Sequence, residues 1–160
     1  MRLRLALLGA AALVAAALAA PASAAATGPP WQAAQRMQDL VFDAQSALLL
    51  DEPRSADGLV RRATGQLSGP LAAGLRTHAP DAYRDVRAAL AAATRAARAR
   101  DETRLAAARG RLRAALLRGS YEVTTAATRA GDASTAGTWL LLREFRKATR
   151  FTRPGVDGTL

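Results

Sequence analysis

Apolar positions along the chain fall into two regimes. From Leu5 to Ala20 they are almost continuous, and from Trp31 onward they recur every three or four residues, the spacing of a helix with one covered face. The recurring pattern predicts a first helix over 31–50, with Met37, Leu40, Val41, Ala44, Ala47 and Leu48 inward and Gln35, Arg36, Asp39, Asp43 and Ser46 outward. Phe42, Leu49 and Trp31 lie off that stripe, which implies cover on a second side. Weaker patterns predict helices over 55–67 and 71–77. The clearest unit is a pair over 80–98 and 101–130, with Ala82, Val86, Ala89, Leu90, Ala93 and Ala97 facing Leu105, Ala108, Leu112, Ala115, Leu116 and Val123. A last helix over 133–151 puts Leu141, Phe145, Ala148 and Thr152 on one arc and Arg143, Arg146, Lys147 and Arg150 on the opposite one. The expected fold is all-α: a small antiparallel bundle of four to six helices.

Turn chemistry sets the boundaries. Gly28-Pro-Pro30 and Asp51-Glu-Pro53 bracket the first helix, and Ser68-Gly-Pro70 stops the second, for which Ser55 is the expected cap. Pro80 starts the hairpin and Asp101 caps its second arm. Gly119-Ser120 is expected to kink that arm, whereas Gly131-Asp132 joins a helix stop to a helix start. Many inward positions are Ala, which lets helix axes approach but buries little area, so Leu, Phe and Trp must supply most of the core energy. Of the seven aromatic residues, Trp31, Phe42, Trp139 and Phe145 lie on the first and last long helices, which are therefore expected to pack together, while the hairpin over 80–98 and 101–130 and the helix over 133–151 are expected to form the core.

The opening stretch reads as a secretory signal: Arg2 and Arg4, a sixteen-residue apolar run, then Ala22-Ser23-Ala24 in the small-x-small form of a cleavage site. That run is shorter than the roughly 20 residues a membrane span needs. Residues 1–26 are thus assigned as signal peptide and 27–160 as one helical extracytoplasmic domain, exported to the periplasmic or cell-surface side of the cytoplasmic membrane. Without a single cysteine, disulfides, thiolate metal ligands and a cysteine nucleophile are all excluded.

Formal charge is +10, or +8 once Arg2 and Arg4 are removed. All but Lys147 of the 23 basic residues are Arg, a bias that a GC-rich genome produces by itself, so distribution matters more than count. Ten Arg face three acids between residues 84 and 118, and five cations face one acid between 143 and 153. Such surfaces attract anionic lipid, acidic polymer or an acidic partner. Nucleic acid is not expected, because the chain is read as exported and has few aromatics for base stacking.

Individual candidates for chemistry are few. His78 is the only histidine and cannot form a zinc site alone. Asp39 and Asp43 share a helical face and could ligate a hard cation, but Arg36 beside them favours an ordinary solvated face. Glu144 falls inside the apolar arc of the last helix, where a carboxylate needs a partner; a structural ion pair with an arginine of the hairpin is favoured over a metal ligand or a catalytic acid. Trp139, Arg143, Arg146, Lys147, Arg150 and Arg153 form the candidate anion or partner surface, with Trp139 at the interface. No nucleophile, base and orienting acid converge, and no Gly-rich phosphate loop occurs, so no enzyme and no cofactor are expected.

The residues Ala130-Gly131-Asp132-Ala133, Trp139-Leu-Leu-Leu-Arg143-Glu144-Phe145-Arg146 and Thr149-Arg150-Phe151-Thr152-Arg153-Pro154-Gly155-Val156-Asp157 resemble the helical extracytoplasmic region that precedes the membrane domain in bacterial high-affinity iron permeases. In those proteins the membrane part carries Arg-Glu-x-x-Glu motifs whose carboxylates bind ferric iron. Here Lys147 replaces the second glutamate, so the resemblance does not extend iron ligation to Glu144. It implies a non-enzymatic accessory module of an iron-uptake permease system, with residues 152–160 leading towards a membrane domain outside this sequence, and a permease membrane domain or its oxidase as partner. The alternative is a secreted basic helical protein that binds an anionic membrane surface or cell-wall polymer.

Overall fold

A computed structural model of the chain describes residues 28–140, and these are helical nearly throughout. The elements are α1 (Pro30–Leu49), α2 (Pro53–Gly65), α3 (Gly69–His78), α4 (Pro80–Arg98) and α5 (Glu102–Arg129), followed by a helical stretch over 133–140, here α6. The fold is all-α, as the periodicity requires.

Helix starts follow local chemistry. Proline sits in the first turn of α1 to α4, where its missing N–H would have had no helical acceptor. The Asp101 carboxylate accepts from the Arg104 N–H at 2.9 Å and caps α5. Gly131 adopts φ +71° at the junction where α5 ends, and Asp132 then caps α6 by accepting from the Thr135 N–H at 3.0 Å. Ser55 does not cap α2. That helix begins two residues earlier at Pro53 with no side-chain cap, because proline's fixed φ already suits the first turn.

One continuous core joins the first five helices. Met37 and Val41 of α1, Val60 of α2, Leu71 and Leu75 of α3, Val86 and Leu90 of α4, and Leu105, Leu112, Leu116 and Val123 of α5 are buried together among alanines of α1, α2, α4 and α5. The hairpin is therefore not the whole core, since α1 packs on α2 and α5 and contributes equally. An ion pair of 2.6 Å from Arg118 to Asp85, far from the 99–101 turn, fixes α4 and α5 as antiparallel neighbours.

Gly119 does not kink α5, which is continuous through it. A Cβ there would overlap Leu75 Cδ2 and lie 3.1 Å from Ala82 Cβ, so the missing side chain is what lets α5 approach α3 and α4. Ser120 beside it is fully buried and donates to the Leu117 carbonyl at 2.8 Å, which satisfies its hydroxyl within the helix.

Candidate functional site

Trp139 occupies a different place from the interface expected for it. It is only 3 % exposed, and its indole lies over Gly74 of α3, where an added Cβ would sit 2.5 Å from Cζ2 and 3.3 Å from Nε1. The indole clamps α6 onto α3 and cannot belong to an exposed anion-binding surface. The physical cause is the gap left by Gly74, which offers a flat ring more buried area than solvent or a headgroup layer would. Arg143, Arg146, Lys147, Arg150 and Arg153, together with Glu144 and Phe145, lie outside the described residues.

Phe42 is 36 % exposed, and the Arg109 guanidinium of α5 lies 5.1 Å from its ring centroid. Leu49 and Leu50 are exposed at the end of α1, so that helix is covered on one side only at its C-terminus. Tyr83 similarly receives Arg76 at 5.8 Å.

Five of the described acidic residues, Asp57, Asp81, Asp85, Asp101 and Glu122, pair with arginines. Asp57 pairs with Arg61 on its own helix and lies 3.6 Å from Arg98 Nε, linking α2 to the end of α4. Arg118 joins Asp85 to Glu122, at 2.6 and 3.4 Å. Gln45 of α1 donates to Glu102 at the start of α5, a side-chain clasp between the ends of two core helices that the sequence did not signal. Asp39 accepts from Gln35 at 2.8 Å and is exposed, as is Asp43. Among the described residues no three His, Cys, Asp or Glu side chains group as a metal site would.

His78 is exposed at the C-terminus of α3 and helps hold the Asp132 carboxyl below its usual range. Its effect is the smallest; the hydrogen bonds from the Thr135 side chain and backbone dominate. This is capping electrostatics, in which the ionised form is favoured by the donors of α6.

Two surface grooves stand out. One, of about 630 Å³, runs between α4 and α5 over Ala88, Ala92 and Ala114, rimmed by Arg95 and Arg111 and closed by the Asp85–Arg118 pair. The other, of about 740 Å³, follows one face of α2 beside Leu40 of α1 and is lined by Arg54, Ser55, Arg61, Arg62 and Gln66 around Gly58. The second has a signal in the sequence, the spacing Arg54-Gly58-Arg62, in which positions i, i+4 and i+8 share one helical stripe.

The described residues thus define a class, a compact alanine-cored helical bundle with a strongly cationic exterior. Residues 25–160 match the family model described as the iron permease FTR1 N-terminal domain, and the chain belongs to that family. No curated protein and no solved structure matches it. The family is one of transporters, and no described helix is long and apolar enough to cross a membrane.

Proposed function

We propose that this chain is a non-enzymatic extracytoplasmic module that works beside the membrane domain of an iron permease and contributes to uptake without forming the pore. The observation that carries it is the family match over residues 25–160. Two further features support it. The match begins at residue 25, where cleavage after Ala24 would leave the mature chain. The bundle also has a core shared by five helices, as a domain needs if it is to fold outside the bilayer before docking.

The test is uptake of ferric iron under iron limitation in the native host. Removing the coding sequence for residues 28–140 in frame is expected to lower the uptake rate at least several-fold, and resupplying the exported chain to restore it. Unchanged uptake overturns the proposal. N-terminal sequencing of the chain recovered outside the cytoplasm checks its location, with a start at Ala25 to Thr27 expected.

A further inference from the structure

The groove on α2 has a construction that packing does not explain. Gly58 is in the middle of a helix, where glycine is disfavoured relative to alanine. No close approach requires it, since an added Cβ would meet only an Arg61 guanidinium atom at 3.8 Å. What the missing side chain does is open a gap on the stripe between Arg54 and Arg62. Eight residues of helix separate those two by about 12 Å, so both guanidinium groups can reach inward over the gap from its two ends.

Both cations lack an ion-pair partner among the described residues, whereas Arg61 between them is held by Asp57. Arg54 sits in the first turn of α2, two residues after the N-cap Glu52, whose side chain does not cap the helix. Ser55 and Gln66 supply hydrogen-bonding groups along the same wall.

We infer that this groove binds a small polycarboxylate, whose separated carboxylates are held by Arg54 and Arg62 at the two ends of the gap over Gly58. Two forks facing one gap suit a di- or tricarboxylate, because each guanidinium can take a separate carboxylate in bidentate fashion, whereas a phosphate offers both a single group. The ligand enters either free or as its ferric chelate; the second source rests on the iron-uptake reading, while the first does not.

Isothermal titration of the purified chain with citrate, ferric citrate and inorganic phosphate tests it. Citrate is expected to bind more tightly than phosphate and to weaken as salt rises. Arg54→Ala and Arg62→Ala should each weaken citrate at least ten-fold, with Arg111→Ala, in the α4–α5 groove, unchanged. Gly58→Leu fills the gap and improves helix propensity, so it should abolish binding while the melting temperature stays level or rises. Absence of citrate binding, phosphate binding as tightly as citrate, equal loss in Arg111→Ala, or full binding in Gly58→Leu each overturns the inference. Binding of citrate but not of ferric citrate keeps the site and removes only its link to iron. Loss of ferric uptake in cells with citrate binding intact, or the reverse, separates this site from the permease role.

Discussion

Gly119 and Gly110 lie on the same helix, nine residues apart, and the same substitution is expected to act on them with opposite signs. Replacing glycine by alanine inside a helix gains about 1 kcal/mol of propensity wherever there is room. At Gly110 there is room, with nothing within 4 Å of the added Cβ. At Gly119 the methyl overlaps Leu75 Cδ2 and comes 3.1 Å from Ala82 Cβ. Leu75 and Ala82 are both fully buried, so neither can swing into solvent, and overpacking of this kind costs about 1–3 kcal/mol. The overlap is severe enough to place Gly119→Ala at the upper end of that range, for a net loss of about 1–2 kcal/mol after the propensity gain. For a domain of this size that is a fall of about 3–10 °C in melting temperature, against a rise of about 3–5 °C for Gly110→Ala. Thermal unfolding followed by far-ultraviolet circular dichroism reads both. If Gly119→Ala raises the melting temperature as Gly110→Ala does, the close approach of α3, α4 and α5 at this point is refuted, and Gly119 reverts to a point of flexibility.

Two other outcomes can be checked on the same material. Trp139→Ala should cost about 3–5 kcal/mol in denaturant unfolding, as for other buried large-to-small changes; in a Trp31→Phe background the native emission should be blue-shifted, and emission at the water-exposed position would refute its burial. The lowered pKa of Asp132 means that its contribution to stability is complete above the ordinary aspartate value of about 3.9 and is lost as pH falls through the lower folded value. Asp132→Asn keeps a capping side chain but should remove that acid-limb dependence, and an unchanged acid limb would show that other carboxylates set it.

The parts of the fold legible in the sequence were those fixed within a few residues. Pro80, Asp101 and the Gly131-Asp132 junction punctuate the chain through backbone chemistry that does not depend on tertiary partners, and the stripes of α4 and α5 became buried faces as their spacing required. Glycine inside a helix was not legible in this way. Gly119 read as a break and proved to be a point of contact, and Gly74 gave no sign that an indole lay over it. Absence of a side chain is the same letter whether it admits a neighbour, relaxes a backbone or opens a groove, and only the surrounding helices decide. Trp139 misled for a related reason: its position on a helical wheel put it with the cations, but α3 supplied a flat vacancy that the wheel does not contain. The Arg54-Gly58-Arg62 spacing was visible throughout, but among so many arginines no single pair drew notice until the groove gave it a shape.

More than half of the buried apolar side chains among the described residues are alanines. A core built that way has little left to trim and almost no slack to accept growth, so its tolerance runs opposite to that of a leucine-rich interior. Drift that shortens a side chain removes at most a methyl group at most of these sites, whereas one extra branch pushes two helix axes apart along their whole length. The inner faces are thereby held to small residues, while the arginine-covered exterior remains free to change with whatever it meets.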